Sequence, residues 1–436
     1  MRILSDKLKS HIGRKVEISG WLHKKRLLGG LNFIILRDRA GIVQILDKTG
    51  EESKKIDDLH YGTIIKVEGK VIKDSRAPNG VELHNPKLTV EVGVTELMPI
   101  EIDKPINHKP DNLHTLFENR VINLRNITEK NIFKIQAEIE EIIRQFLISR
   151  DFLPFHSPKL LAGSNEGGAE VFKLDYFDQK ATLAQSAQFY KQILAGVYER
   201  VFEIGSTYRA EPSTTTRHMS EFITIDVEMG FIDSLDDLMD LLSDMLNQVN
   251  NQVWEKCQKE LESLKSKKVK LTKKIPVITL KDLHQKYFED SKEDLRHEKD
   301  PAPSEERWAS EYGYKKYGSE AIFITDFPSS GMVFYHKKSQ KDPNIAERAD
   351  LILRGTEIVT LSMREHRYDK LVEQLINIGA NPKDPGFIHY LQAFKYGMPP
   401  HGGFGLGLER LTQKIIGLHN VKEATIFPRD MGRLTP

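Results

Sequence analysis

Between residues 16 and 94 lie five short alternating or apolar runs separated by turn residues, VEISGWL, LNFIILRD, GIVQILD, TIIKVEGKVI and VELHNPKLTVEV. A period of two puts alternate side chains on opposite faces, so each run predicts a β-strand. The separators Gly29-Gly30, Arg39-Ala40-Gly41 and Ala77-Pro78-Asn79-Gly80 carry turn chemistry. Five strands in this length predict a small closed barrel. Residues 98–110 then hold three prolines and little apolar periodicity, which reads as a linker. Beyond it the period changes. In 131–150, Ile132, Ile135, Ile139, Ile142, Ile143 and Phe146 recur at three- and four-residue spacing with charges opposite, predicting a helix that buries one face. Phe152-Leu153-Pro154-Phe155-His156-Ser157-Pro158 follows as an extended segment, because proline and the residue before it resist helix. Further strands or tight strand connections are predicted at 182–184, 200–208, 221–231, 321–325, 333–336, 350–361 and 402–407, scattered among helices. That irregular order predicts an antiparallel α+β sheet flanked by helices rather than a doubly wound one. Residues 233–317, helical, charged and lysine-rich, read as an insertion forming a solvated helical layer. The domains expected are therefore 1–97, a hinge at 98–125, and 126–436.

The 436 residues carry 64 Lys+Arg against 63 Asp+Glu and are 39% hydrophobic, which describes an ordinary globular protein and excludes a disordered or collagen-like chain. The charge balance is not uniform. Residues 1–100 hold 18 basic and 13 acidic residues, so the excess sits on the barrel. A five-stranded barrel with aromatic and basic side chains on one face is the oligonucleotide-binding (OB) architecture; a barrel that merely packs against its neighbour is the alternative. The single cysteine, Cys257, excludes an internal disulfide and a cysteine-rich zinc site. With no long apolar run and no signal-peptide core at the start, a cytoplasmic protein without a membrane partner is expected.

Two stretches carry chemistry. Gly402-Gly403-Phe404-Gly405-Leu406-Gly407-Leu408-Glu409-Arg410 is glycine-rich, which permits close backbone approach to a ligand, but it lacks the surrounding βαβ unit of a dinucleotide fingerprint. In the second, running from Tyr208-Arg209-Ala210-Glu211 through Arg217-His218 to Glu221-Phe222 and Asp226-Val227-Glu228, two arginines flank a polar loop between strands. Guanidinium groups so placed could hold phosphate oxygens bidentately, and Phe222 could offer its face to a base; taken alone, the hairpin reads equally as a salt-bridged surface loop.

The proline-terminated segment ending at Pro158, the YRAE…RH…EF hairpin and GFGLGLER resemble, in order, motifs 1, 2 and 3 of the class II aminoacyl-tRNA synthetases. With the barrel, Gln185-Ser186-Ala187-Gln188-Phe189-Tyr190-Lys191-Gln192 and Ile426-Phe427-Pro428-Arg429-Asp430, nearly the whole chain resembles the aspartyl/asparaginyl subgroup in its compact archaeal-type form. The resemblance implies an aspartate–tRNA ligase, with ATP, L-aspartate, tRNA(Asp) and in some versions tRNA(Asn) as partners, acting as a homodimer formed through the 131–150 helix and the strand ending at Pro158. It implies catalytic roles for Arg209, Glu211 and Arg410, with Arg217, His218, Phe222, Glu357 and Gly407 completing the ATP site. Asp350 and Glu357, with Thr360, would hold Mg2+; Glu170, Gln188, Lys191, Asp226, Thr360, Arg364 and His401 would hold aspartate. In the barrel, His23, Arg26, Phe33, Gln44, Pro78 and Glu82 would read the anticodon, with His23 and Pro78 resembling versions that accept both tRNAs.

The chain departs from the family in two places. Val359-Thr360-Leu361-Ser362-Met363 stands where Ser-Ser-Gly-Gly-Gln is common, and Ala187 replaces a proline. Side chains at Leu361 and Ser362 are expected to reshape a pocket where backbone approaches substrate. An asparagine-specific ligase or a paralogue for another amino acid is the rival enzyme; a tRNA-binding regulator without ligase activity is the rival of another class.

Overall fold

The computed structural model describes residues 2–28, 31–106, 110–162, 170–213 and 215–435. The chain clusters into two compact units, residues 1–107 with 111–130, and residues 131–436 with 108–110. The Gly29-Gly30 turn and the segment 163–169 lie outside the described residues.

The first unit is the expected barrel. Strands β1 (Lys15–Leu28), β2 (Leu31–Arg37), β3 (Ile42–Asp47), β4 (Ile64–Lys73) and β5 (Val81–Val92) close in the order β1-β2-β3-β5-β4, with β3 and β5 the parallel pair. Alternation does what it predicts: Ile34 and Leu36, Val43 and Ile45, and Ile65 and Val67 point inward to one apolar core with Leu83 and Leu88. Phe33 is half-buried and outside that core.

The second unit holds two sheets. In the small one, β7 (Leu160–Leu161) and β8 (Lys173–Tyr176) flank β9 (Gln179–Leu183). The large one has eight strands: β6 (Leu153–Pro154), β10 (Arg200–Tyr208), β11 (Glu221–Gly230), β12 (Val277–Thr279), β13 (Ala321–Thr325), β14 (Arg348–Leu353), β15 (Thr356–Met363) and β16 (His401–Gly407). Their order is β12-β13-β14-β15-β16-β11-β10-β6. The central strands are antiparallel, as expected, whereas both outer pairs, β12 with β13 and β6 with β10, are parallel. Parallel neighbours need a long crossover, and between β12 and β13 helices Leu280–Ser291 and Pro303–Tyr317 supply it.

Two expectations change. Residues 333–336 are not a strand of the sheet but a turn with one isolated bridge, His336 to Arg364, because Phe334 and Tyr335 are drawn into an aromatic cluster with Phe189 and Tyr390. Nor is 233–317 only a solvated layer. Helix Leu235–Lys256, started by a capping box between Ser234 and Asp237, buries Leu238, Leu242, Met245, Leu246, Val249 and Val253. These pack in the same core as Ile135, Ile139 and Phe146 of helix Ile127–Ile148 and Phe202, Ile225 and Val227 of the sheet. The polar face of that sheet is left for chemistry.

Candidate active site

Four pieces of the second unit converge on a cavity of about 500 Å³: the start of helix Gln188–Tyr198, the β10–β11 hairpin, the β14–β15 pair, and β16 with the helix Leu408–Ile416 that follows it. The antiparallel register makes the floor. Asp226 lies opposite Gly405 and Glu228 opposite Gly403, and being two apart on β11 both acids face the same side. A Cβ on Gly403 would lie 2.2 Å from Glu228 Oε2, so only glycine lets that carboxylate cross the strand.

At one end two cations meet these two acids. Lys191 Nζ donates to Asp226 Oδ1 at 2.7 Å and to the Phe404 carbonyl at 3.0 Å. Arg364 Nε and Nη2 donate to the two Glu228 oxygens at 2.9 and 3.2 Å, and Nη1 donates to Ser362 Oγ. All four charged groups are buried. Although burial opposes its ionisation, Lys191 and Thr224 hold the Asp226 carboxyl below its ordinary range. His336 lines the same end; burial, with Arg364 and Arg348 adding, lowers its pKa far enough to keep the ring neutral.

At the other end, Arg209 and Arg410 line the cavity with Glu211, Arg217, His218, Phe222, Glu357 and Gly407. The Arg209 guanidinium lies 5.7 Å from the Phe222 ring centroid, within cation–π range. Arg410 Nη1 donates to the Glu357 carbonyl at 2.9 Å and lies 3.6 Å from its carboxylate. Glu409 anchors the helix that carries Arg410: its two carboxylate oxygens accept the Ile223 N–H at 3.0 and 3.1 Å. Burial pushes the Glu409 carboxyl up to about 8. Arg217 Nη1 donates to both oxygens of Glu306 at 2.8 and 2.7 Å. Thr360 Oγ1 donates to Glu357 Oε1 at 3.0 Å. Burial would raise the Glu357 carboxyl, but Arg410 and Arg348 hold it below the usual range.

Gln188, Lys191, Asp226, Thr360 and Arg364 thus share one cavity with the arginine end, whereas three expected residues do not line it. Asp350 is buried behind Arg348, which donates to it at 2.7 and 3.3 Å; burial, opposed by Arg348 and reinforced by Glu357, pushes its carboxyl up to about 6. His401 is fully buried and turns its ring to the Pro399 carbonyl at 2.8 Å and Gln192 Oε1 at 3.2 Å. Glu170 is exposed, and its carbonyl accepts the Ala210 N–H beside Arg209. Among residues that sequence reasoning missed, Glu228 was signalled by its two-residue spacing from Asp226. Arg348, His336 and Glu306 carried no local signal, since only the long-range register and the packing of helix Pro303–Tyr317 bring them in.

The expectation that Leu361 reshapes the pocket is overturned. Strand alternation turns Thr360 to the cavity and Leu361 to the other side, where it is fully buried in the main core. Ser362 is buried against Arg364. Leu361→Ala is therefore expected to cost about 2–5 kcal/mol of stability while leaving the KM for the amino acid unchanged. Chemical denaturation beside steady-state kinetics checks this; a shifted KM at wild-type stability would contradict it.

In the first unit, Arg26 lies opposite Phe33 and Gln44 opposite Ile35 and Glu82, so one outer face of the barrel collects them. Gln44 Nε2 donates to Glu82 Oε2 at 2.8 Å, and His84 meets Glu82 Oε1 at 2.6 Å. His23 is buried, its pKa lowered to about 4 first by burial and then by Arg37, and Pro78 begins the turn before β5; neither lies on those rows.

Residues 112–431 match the family of tRNA synthetases class II (D, K and N), and residues 16–91 match the OB-fold nucleic acid binding domain. The chain is 40% identical to an aspartate–tRNA(Asp/Asn) ligase of Methanopyrus kandleri, over 97% of this chain and 96% of that one. It is 38% identical to the Thermus thermophilus enzyme of the same name, over the full length of both. An aspartate–tRNA(Asp) ligase of Pyrococcus abyssi is 39% identical, over 97% of each chain. Among solved structures, asparaginyl-tRNA synthetase from Pyrococcus horikoshii complexed with asparaginyl-adenylate superposes with a TM-score of 0.91 at 29% identity, covering all of both chains. Since the family match and these relatives span nearly the entire sequence, the chain belongs to the tRNA synthetases of class II (D, K and N) and is an aminoacyl-tRNA ligase with an OB-fold domain at its N-terminal end.

Proposed function

We propose that this ligase activates L-aspartate with ATP and transfers the aspartyl group to tRNA(Asp), with tRNA(Asn) as a second acceptor. The observation that carries the reading is the single cavity in which Arg209 and Arg410 meet Lys191 and Arg364. The amino-acid carboxylate attacks the α-phosphorus of ATP, forming the aspartyl–phosphate bond as pyrophosphate leaves. That step asks for alignment and charge stabilisation, not for a nucleophilic side chain. In this reading Arg209 and Glu211 hold the α-phosphate and adenine region, Phe222 stacks on adenine, Arg410 covers ring and phosphates from the opposite side, and Arg217 with His218 takes the γ-phosphate end. Lys191 and Arg364 receive the side-chain carboxylate, and Gln188 and Asp226 orient the rest of the amino acid.

Glu357 and Thr360 line the cavity, while Asp350 lies opposite Thr360 across the strand pair and behind Arg348, raised in pKa by burial and by Glu357; in this reading the three supply an all-oxygen donor set. Among the described residues no three His, Cys, Asp or Glu gather to hold a metal. Two carboxylates and a hydroxyl suit Mg2+, which keeps its waters and shares substrate phosphates; when bound it neutralises charge on the triphosphate.

The tRNA side of the reading rests on the face that carries Arg26, Phe33, Gln44 and Glu82, since splayed bases are read by aromatic faces and polar edges; His23 and Pro78, off those rows, are proposed to add to it. Phe33→Ala is expected to weaken tRNA charging by about 1–3 kcal/mol and to spare ATP–pyrophosphate exchange. Equal loss of both activities would contradict that division. A homodimer is the assembly proposed, formed through the 131–150 helix and the strand ending at Pro158. A place in the cytoplasm, where its translation-enzyme relatives work, is part of the proposal; among the described residues no helix is long and apolar enough to cross a membrane.

One observation favours a second reading. Lys191 and Arg364 are each already paired with an acid, Asp226 and Glu228, so the pocket's cations carry little unbalanced charge with which to prefer a carboxylate over an amide. Exchange measured separately with aspartate and asparagine, followed by charging of tRNA(Asp) and tRNA(Asn) transcripts, decides. Aspartate-dependent exchange and charging of both transcripts are expected; exchange with asparagine alone would overturn the proposal.

A further inference from the structure

Arg348, first residue of β14, lines the cavity, yet the three motifs and the aspartate pocket make no use of it. One edge of its guanidinium is fixed: Nη2 and Nε donate to Asp350 at 2.7 and 3.3 Å. Below it lies the Phe327 ring, 4.2 Å from the guanidinium carbon to the centroid, which holds the plane of the group. The other edge is held less firmly. Nη1 donates to Asp300 at 3.0 Å, but the Asp300 side chain is 62% exposed, and an ion pair to a hydrated carboxylate contributes little. Of the five N–H groups of an arginine, these bonds use three, and each Nη keeps a second.

The surrounding charges indicate what this edge would take. Lys191 and Arg364 lie against Asp226 and Glu228, whereas the acids that act on Arg348 are Asp350, Asp300 and Glu357. Asp350 and Glu357 are the pair assigned to the triphosphate. A planar guanidinium braced by a carboxylate on one side presents a fork that matches phosphate oxygens on the other. We propose that Arg348 is a further nucleotide-binding residue, its outer edge taking a phosphate oxygen of ATP in place of Asp300. This rests on reading the cavity as the ATP site.

The test is calorimetric titration of the full-length protein with ATP and with adenosine, in excess EDTA so that no divalent cation contributes. Arg348→Ala should weaken ATP binding about tenfold or more, as for loss of a charged hydrogen bond, with adenosine binding unchanged and Arg348→Lys intermediate. Should the alanine variant fail to fold, Arg348→Gln takes its place, since it keeps a donor for Asp350 without the charge. ATP binding unchanged, or ATP and adenosine weakened alike, would overturn the inference. Arg410→Ala in the same assay separates the two levels. If it loses ATP while the Arg348 variants do not, only the role of Arg348 falls; if neither loses ATP, the reading of the cavity falls with it.

Discussion

Arg410→Ala is expected to lower ATP–pyrophosphate exchange by about a hundredfold to a thousandfold, the usual cost of removing one preorganised charge-stabilising group, while tRNA binding stays largely intact. The size of the effect follows from how the side chain is held. Arg410 reaches across from helix Leu408–Ile416 to the Glu357 carbonyl, and Glu409 pins the same helix to β11 at Ile223. The guanidinium is therefore in place before a nucleotide arrives, so little reorganisation is needed as charge develops on the phosphates. Alanine removes the charge without a cavity in the core, because Arg410 faces the site and not the apolar cluster. A circular-dichroism melt identical to wild type, with exchange lost, is the predicted result; exchange at wild-type rate would remove Arg410 from the site.

The second large effect is expected at Arg364. Its guanidinium is the counter-ion of Glu228, which is fully buried and crosses Gly403. Arg364→Ala would leave that carboxylate with only Lys191, 3.9 Å from Oε2 and already paired with Asp226, and breaking a buried pair by removing one partner costs about 3–5 kcal/mol. Amino-acid activation should disappear as well. The two losses can be separated: the double variant Arg364→Ala, Glu228→Gln should recover much of the stability without recovering exchange, because the amide no longer needs a cation while the substrate still lacks one. Urea unfolding of the single and double variants reads the first loss and pyrophosphate exchange reads the second. An Arg364→Ala protein as stable as wild type would show that Lys191 alone suffices for Glu228.

Much of this was legible in the chain itself, for identifiable reasons. The barrel follows from period-two runs, and the helix beginning at Ile127 from isoleucines spaced three and four apart, because both depend on local periodicity. The arginine end of the cavity was readable because Arg209 and Arg217 share a hairpin and Arg410 follows a glycine strand; short contiguous segments carry them. What escaped depends on contacts far apart in sequence. Glu306 reaches Arg217 across 89 positions, and Arg348 gains its place from strand pairing with β15. The side that Leu361 faces was open to the same alternation rule, but a missing glycine drew attention to the substrate instead of the core. His401 was expected in the pocket by its place in the chain, yet a first strand residue can turn toward the helix behind it, as this ring does toward Gln192.

The span 233–317 also limits how far this enzyme can be pared down. It supplies β12 at one margin of the eight-stranded sheet, a face of the main core through Leu238 and Val249, and through Glu306 a direct hold on Arg217. A shortened version with this region excised would expose the flank of β13 and strip the apolar underside of the sheet, giving an insoluble product before any question of turnover arose. Shrinking the scaffold must begin elsewhere.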